Sequence, residues 1–224
     1  MGSPARAPCP ICGGTSFIPG PGDRLTVDGV PPRCDRCWSL ERHRGFWLAF
    51  AAVPPAMLVW RSAIQFSPDG TLAPERFATF ESSTYGGENS LDLRNIDRPD
   101  GSYDFLSLSQ VLDFVDDDRT AFAELSRIAS DCAIVHLAFT SVMTAAVSDH
   151  YPEPRGAHGR FHEYGRDVFR HLGAPELGFE AIEVTTTDPC TGVTGPMFLL
   201  ARSRSDANTL RAAIAATSAA ALVN

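Results

Sequence analysis

The chain contains 224 residues, of which 19 are Lys or Arg and 27 are Asp or Glu, so its formal net charge is −8. An acidic balance of this kind argues against a protein that neutralises a nucleic-acid backbone over its whole surface. Basic residues do collect between positions 33 and 44, and a local nucleic-acid contact there stays open as the lesser alternative. The sequence shows neither a signal-peptide pattern nor an apolar run of about 18 residues. We therefore expect a soluble, cytoplasmic protein with no membrane segment.

Two cysteine pairs near the start of the chain carry its strongest chemical signal. Cys9 and Cys12 form one C-x2-C turn, Cys34 and Cys37 form a second, and 21 residues separate the two turns. Four thiolates at this spacing are typical of a tetrahedral zinc ribbon. Since sulfur would fill all four positions, the spacing predicts a structural Zn2+ ion with no open position for a substrate. Two disulfides or a redox C-x-x-C pair are the competing interpretations.

Length and local composition predict how the rest of the chain is organised. About 45 residues of ribbon leave one domain of ordinary size. The apolar segment 46–53 stops at Pro54-Pro55, which predicts a packed helix between the two units. An Ala-rich segment, 206–222, predicts a terminal helix that either packs on the domain or binds a partner, and a homodimer is one expectation. The predicted units are a zinc ribbon at 1–45, an α/β domain at 46–204 and a C-terminal helix at 205–224.

Strand-like and helix-like periods alternate through the central domain. Helices are predicted after the acidic start at 116–118 and over 164–172, before Gly173. Strands that alternate with helices, followed by two late strands, predict an open, doubly wound, mostly parallel α/β sheet of the Rossmann-like kind with a final antiparallel hairpin. Ligands of such sheets bind at the carboxyl ends of the strands. The predicted strands are 63–66, 77–81, 103–108, 132–139, 179–186 and 196–202.

Several stretches, taken in chain order, together resemble a known family. The most specific piece is Ser39-Leu-Glu-Arg-His-Arg44 directly after the second cysteine pair; the strand motifs would be weak by themselves. The other stretches are Ile64–Asp69, Leu91-Asp-Leu93, Ser102–Phe105, Gln110–Val115, Asp116–Leu125 and Arg160–Gly165. With them, the chain resembles class I S-adenosylmethionine-dependent methyltransferases that carry an N-terminal zinc ribbon. The resemblance implies a methyltransferase-like fold and S-adenosyl-L-methionine as the cofactor of the central domain.

The resemblance also implies where the cofactor would be held. The backbone of the loop after the first strand would lie close to the methionine part of the cofactor. An acid of the second strand would accept hydrogen bonds from both ribose hydroxyls, and a later acid would hold the adenine. Without the resemblance, Glu81 and Asp92 would be interpreted as solvated loop acids, and 67–70 as a common turn. The cofactor residues implied in this way are Ser67, Pro68, Asp69, Gly70, Glu81, Asp92, Leu93, Ser109 and Gln110.

The sequence departs from the family pattern in three places, one of which is Gln110 and Asp113-Phe114 after the fourth strand, where the family commonly has His and Glu-His on the substrate side. A single Gly70 replaces the glycine-rich loop, and glycine is what lets a backbone approach a ligand without a Cβ clash. In the late segment, Arg160 and His162 stand where the family has His and Arg, respectively. Such changes leave open a new substrate, another use of the sulfonium cofactor by a lyase or cyclase, or an interaction protein whose cofactor domain is vestigial.

Methyl transfer requires a general base only if the acceptor carries a proton. The candidate bases are His162, which is preferred because an unperturbed imidazole titrates near neutral pH, with Asp113 and Tyr164. A surface histidine is the competing interpretation of His162, and His136 is expected to be a hydrogen-bonded core residue. His43 and Glu41 are expected to dock the ribbon onto the domain, while Arg42 or Arg44 could instead reach an acidic substrate group.

The polar segment 140–162 follows a buried strand, so it should emerge at the carboxyl edge of the sheet. We expect it to be a substrate lid, with Arg160 and His158 as substrate-binding residues; disorder is the competing expectation because Pro and Gly recur within it. The function that the resemblance implies is methyl transfer from S-adenosylmethionine to a small molecule or biosynthetic intermediate.

Overall fold

The computed structural model describes residues 6–87, 89–140, 144–156 and 159–221. A six-stranded sheet forms its centre, and a two-stranded ribbon and a two-stranded hairpin flank it. The strands are β1 Phe17–Ile18, β2 Arg33–Cys34, β3 Ser62–Phe66, β4 Thr79–Ser83, β5 Tyr103–Ser109, β6 Ala129–Ala138, β7 Asp149–Arg155, β8 Arg160–Glu163, β9 Glu180–Thr187 and β10 Thr194–Ala201. The helices are α1 Glu41–Ala52, α2 Pro55–Leu58, α3 Asp118–Ile128, α4 Val168–His171 and α5 Arg204–Ala221.

The central sheet has the strand order β4-β3-β5-β6-β10-β9. β3 runs parallel to β4 and to β5, and β5 runs parallel to β6. β10 is antiparallel to both of its neighbours, β6 and β9. The strand order reverses between β3 and β5, because the chain passes from β3 outward to β4 and then returns to the other side of β3. This arrangement is a methyltransferase-like α/β sheet, and it confirms the predicted fold class and late antiparallel hairpin.

The sheet buries apolar side chains on both faces, as expected for parallel strands that helices cover. On one face, Ile64 and Leu106 belong to the core cluster that includes Phe122 of α3. On the other face, Phe105 packs edge-on against Phe50 of α1. Each fully buried side chain of this kind contributes about 1.5–3 kcal/mol. The two cores hold the strand ends in register, which fixes the position of the loops that follow them.

A fully buried arginine takes part in attaching the ribbon to the domain, beside the Arg24–Glu41 pair. Arg44 of α1 donates to both carboxylate oxygens of Asp188 at 2.7 and 2.6 Å. The same guanidinium donates to the carbonyls of Ser39 at 2.8 Å and Pro32 at 2.9 Å, and it lies over the ring of Phe17. Both charged side chains are 0% exposed. Arg44 therefore docks the ribbon, which leaves its guanidinium unavailable to an acidic substrate.

Several elements differ from their predicted bounds. α1 begins at Glu41, so the predicted boundary after residue 45 falls within this helix. The helix predicted over 164–172 is only the four-residue α4. Gly165 precedes it and packs so closely on the backbone of Val147 that a Cβ would lie 2.6 Å from its carbonyl carbon. The described part of the segment 140–162 forms the β7–β8 pairing, in place of a structureless loop.

None of the helices in the described ranges is both long enough and apolar enough to cross a membrane.

Candidate functional site

The four ribbon cysteines converge on one point. The Sγ atoms of Cys9 and Cys37 are 3.7 Å apart, those of Cys12 and Cys34 are 3.6 Å apart, and all four lie within 4.8 Å of one another. A Zn–S bond of about 2.3 Å places tetrahedral sulfurs about 3.8 Å apart, whereas a disulfide would require about 2 Å. All four cysteines are free thiols. Their geometry fits a structural zinc site, and Ser39 Oγ, 3.2 Å from Cys37 Sγ, fixes one ligand from outside.

A cavity of about 400 Å3 opens at the carboxyl ends of the central strands. It lies where the strand order reverses, with Phe66 and Ser67 at the end of β3 and Gln110 at the end of β5. Open α/β sheets bind ligands at such a point. Its lining residues are Phe66, Ser67, Ser83, Tyr85, Leu91, Asp92, Leu93, Arg94, Gln110, Val111, Phe114, Val115, Asp116 and Phe161.

The backbone at both strand ends adopts a conformation that side chains disfavour. Ser67 has φ +52° and Gln110 has φ +56°, although neither residue is glycine. Each is held by a backbone hydrogen bond to the neighbouring strand, from Ser67 N to Ser83 O at 2.8 Å and from Gln110 N to Ala138 O at 2.7 Å. Residues held in this region cluster at ligand sites, where the surrounding structure enforces them. The turns therefore present their backbone to the cavity without the family's repeated glycines.

Asp92 lies on the cavity wall and is paired with an arginine. Arg94 donates through Nε to Asp92 Oδ1 at 3.0 Å and through a terminal nitrogen to Oδ2 at 2.7 Å. Arg94 also reaches Asp116 at 2.9 Å. The hydrogen bonds from Arg94 hold the pKa of Asp92 below its usual value. Asp92, with the buried Leu93 beside it, thus offers a carboxylate and an apolar contact at one side of the cavity.

Glu81 does not line the cavity. It lies in the middle of β4, two residues before the cavity-lining Ser83, and its carboxylate accepts hydrogen bonds from Arg98, Tyr103 Oη and, at 2.8 Å, Asn89 Nδ2. Burial by itself would raise the pKa of Glu81, but the bonds from Arg98 and Tyr103 outweigh it and the pKa is lowered. As a ribose acceptor, Glu81 would have to exchange these partners for the hydroxyls.

The remaining residues of the predicted cofactor loop lie beside the cavity. Pro68 and Gly70 are exposed, and Asp69 turns inward to accept hydrogen bonds from Gln65 at 3.0 Å and from Thr71. His43 Nε2 lies 3.7 Å from the other Asp69 oxygen. Burial, with the nearby charge of Arg42, lowers the pKa of His43 to about 4, so this histidine is neutral near pH 7.

Ser109 and Asp113 carry buried polar atoms near the end of β5. Ser109 Oγ has no partner among the described residues, and neither has Asp113 Oδ2. The other oxygen of Asp113 accepts from the backbone N and the Oγ of Thr140 at 2.9 and 2.5 Å. Burial raises the pKa of Asp113, while the charge of Arg160 acts in the opposite direction. Arg160 also donates to Thr140 Oγ at 3.2 Å, so these three residues form one polar group.

The other two predicted bases lie behind the cavity wall. His162 Nε2 donates to the carbonyl of Val115 at 2.6 Å, and its Nδ1 is 2.7 Å from His150 Nδ1. Tyr164 donates to Asp118 Oδ2 at 2.9 Å. Neither residue lines the cavity, whereas Val115 does. His158, the second predicted substrate-binding residue, lies outside the described residues.

Sequence reasoning did not single out several residues of the wall. Tyr85 follows the end of β4, and an aromatic residue at that position was the available signal, whereas Phe114 lies in the stretch Gln110–Val115 that carries the resemblance. Phe161 comes from β8, and no local pattern indicated that this strand reaches the cavity.

In sequence, no protein-family model and no curated protein matches the chain. Among solved structures, an S-adenosylmethionine dependent methyltransferase from Mesorhizobium loti is 14% identical, covering 69% of this chain and 95% of its own, with a TM-score of 0.45. The 1,6-didemethyltoxoflavin-N1-methyltransferase of Burkholderia thailandensis, solved with S-adenosylhomocysteine, is 11% identical over 70% and 78% of the chains, with a TM-score of 0.45. The [4+2]-cyclase SpnF is 11% identical over 72% and 80%, with a TM-score of 0.47. The fold assignment rests on the strand order and directions of this chain.

Proposed function

We propose that this protein binds S-adenosylmethionine in the cavity between β3 and β5 and transfers its methyl group to a small molecule. The position of the cavity carries the proposal. It lies at the reversal of strand order in a methyltransferase-like sheet, and its volume of about 400 Å3 is within the range of about 300–1,000 Å3 that small-molecule sites occupy.

The lining of the cavity suits the parts of this cofactor. Leu91, Leu93 and Val115 offer apolar surface to a purine, and Asp92 at the edge offers a carboxylate acceptor to an exocyclic amine. The turns at Ser67 and Gln110 would hold the methionine end through their backbone. Ser83 at the end of β4 also lines the cavity and would offer its hydroxyl to the ribose.

When bound, the cofactor supplies an electrophilic methyl group on a sulfonium, so the residues of this chain have to position the acceptor. The cavity wall at Phe114 and Val115 would do this, because it faces the lumen between the strand ends and the β7–β8 hairpin. His162 and Tyr164 hold this wall from behind through the Val115 carbonyl and Asp118. Their proposed role is to position the wall, and no proton transfer from them to a bound molecule is required.

A small acceptor fits better than a polymer. Phe161 of the hairpin lines the cavity, so β8 forms part of its wall and limits the space for an acceptor. The chain also carries a net charge of −8, which disfavours nucleic acid.

A transfer assay tests this proposal. Protein incubated with methyl-labelled S-adenosylmethionine and small-molecule, protein or RNA fractions should pass label to the small-molecule fraction alone. Label in the protein or RNA fraction would contradict the proposed activity, and so would label recovered as methylthioadenosine, the by-product of aminocarboxypropyl transfer. Tyr85→Ala, at the cavity, should reduce the transfer, whereas Tyr151→Ala on β7 serves as the matched control.

A further inference from the structure

A second group of metal-binding side chains lies on the far side of the cavity wall. We call Asp118, His150, His162 and His171 the histidine cluster. Ligand atoms of Asp118, His150 and His171 all lie within 4.8 Å of one another. His171 Nε2 is 3.0 Å from Asp118 Oδ2, and the rings of His150 and His171 stack with centroids 4.1 Å apart. The four residues come from the start of α3, from β7, from β8 and from α4.

The hydrogen bonds of His162 determine how the ring of His150 is protonated. The carbonyl of Val115 can only accept, so the His162 Nε2 that lies 2.6 Å from it must carry the hydrogen. In a neutral ring, His162 Nδ1 is then an acceptor. His150 Nδ1, 2.7 Å away, must donate to it. The lone pair of His150 is consequently left on Nε2, which no described hydrogen bond uses.

This tautomer of His150, with the hydrogen on Nδ1 and the lone pair on Nε2, is of the kind that metal-binding histidines adopt. A ligating imidazole usually donates its second ring N–H to a fixed acceptor, which sets its tautomer and orientation. His150 does so through His162, which is itself anchored on the backbone. The carboxylate of Asp118 is held in the same manner, because Tyr164 Oη donates to its Oδ2 at 2.9 Å.

The distances are close to those of a coordination shell. Metal–nitrogen and metal–oxygen bonds of about 2.0–2.2 Å place tetrahedral ligand atoms about 3.3–3.5 Å apart. The 3.0 Å separation of His171 Nε2 and Asp118 Oδ2 is near this value. It is a hydrogen bond in the structure, so a bound metal would replace it and leave the ring proton of His171 on Nδ1.

We propose that Asp118, His150 and His171 bind one divalent transition-metal ion of the zinc class, with His162 orienting His150. Two imidazoles and a carboxylate are a donor set used for such ions when a coordination position stays open. The site would connect α3, the hairpin and α4 directly behind Val115, and so fix the hairpin against the cavity wall. This inference is independent of the cofactor proposal, because it concerns metal binding alone.

Metal content and calorimetry with Zn2+ alone test the proposal on the full chain. Wild-type protein should hold two zinc ions, one in the ribbon and one in the cluster. His150→Ala, at an exposed position, should hold one, and so should His171→Ala. Arg170→Ala, next to His171 on α4 and also exposed, should hold two. After a mild chelator has emptied the cluster and left the ribbon zinc in place, added Zn2+ should raise the melting temperature of the wild type and of Arg170→Ala and leave that of His150→Ala unchanged.

Cobalt substitution separates the two sites, since only the cysteine site gives sulfur-to-metal charge-transfer bands. Wild type should bind a second Co2+ without added intensity in these bands, and His150→Ala should not bind it. One metal ion per wild-type chain, or two in both histidine variants, would overturn the proposal and leave a hydrogen-bonded cluster without a metal. The His150→Ala arm remains decisive if His171→Ala does not fold.

Discussion

The Arg44–Asp188 pair at the ribbon junction and two residues near the carboxyl edge of the sheet differ in how fully their buried polar atoms are paired. At the junction, Arg44 and Asp188 are completely buried and fully paired. Near the sheet edge, Ser109 and Asp113 each keep a buried polar atom that has no partner among the described residues. The same edge carries two strained turns and the open cavity.

From this difference we infer that the junction serves stability and that the sheet edge serves ligand binding. A buried polar atom without a partner costs about 1–3 kcal/mol, so a folded chain keeps it only where something else is gained. Changes at the junction should therefore reduce stability, and changes at the sheet edge should mainly alter ligand affinity and pH dependence.

The largest effect is expected from the ribbon cysteines. Cys34→Ser removes one of four ligands, and structural zinc contributes on the order of 10 kcal/mol to small modules. The variant should lose the ribbon zinc and should expose residues 6–40 to hydrogen exchange. Cys132→Ser is the matched control, since Cys132 lies outside the cysteine cluster and should leave the ribbon intact. Full protection of the ribbon in Cys34→Ser would show that the metal does not hold it.

The second-largest loss of stability is expected when the Arg44–Asp188 pair at the junction is broken. Arg44→Met leaves the carboxylate of Asp188 buried without its partner, which costs about 3–5 kcal/mol in urea denaturation. Arg211→Met removes a comparable ion pair on the surface, where Arg211 and Glu180 are 43% and 48% exposed, and should cost less than about 1 kcal/mol. Equal losses in the two variants would contradict the account of the junction.

His136 should make the stability of the sheet sensitive to acid. Burial lowers its pKa to about 4, against about 6.5 in an unfolded chain, although the charge of Asp69 acts in the opposite direction. As pH falls from about 6.5 to 4, the unfolded chain binds a proton that the folded chain does not. Stability is therefore lost over this window, on the order of 1 kcal/mol per pH unit.

His136→Gln should flatten this dependence. Denaturation of both proteins at pH 7, 6, 5 and 4, in zinc-containing buffer that keeps the ribbon loaded, measures it. Parallel curves for the two proteins would show that His136 does not contribute.

Tyr85→Ala should have the smallest effect on stability, since Tyr85 is 82% exposed. It lines the cavity, and loss of an aromatic contact should weaken S-adenosylhomocysteine binding about two- to tenfold. Tyr151→Ala should bind as the wild type does. Unchanged affinity in Tyr85→Ala would remove this side chain from the site.

Local patterns predicted the features that depend on neighbouring residues. The spacing of the cysteine pairs predicted their cluster, and apolar runs predicted β3, β5 and β6, because burial on both faces leaves a clear signal in each strand. The order of strands and helices then predicted the sheet and its carboxyl edge.

Features that join distant segments were not predictable in this way. Arg44 meets Asp188 across 144 positions, and neither residue carries a local sign of its partner. Glu81 was expected to face the ribose, yet Arg98 and Tyr103 occupy its carboxylate. The histidine cluster likewise forms only when the four elements α3, β7, β8 and α4 pack together.

Binding of S-adenosylhomocysteine to the full chain tests the central claim most directly. Calorimetry should show one site in the wild type and in Val59→Trp, an exposed position away from the cavity. Val111→Trp should abolish binding while retaining the wild-type melting temperature within a few degrees, since Val111 lines the cavity and the larger ring would fill it. Equal affinity in Val111→Trp and the wild type, or no binding in the wild type, would contradict the assignment of this cavity to the cofactor.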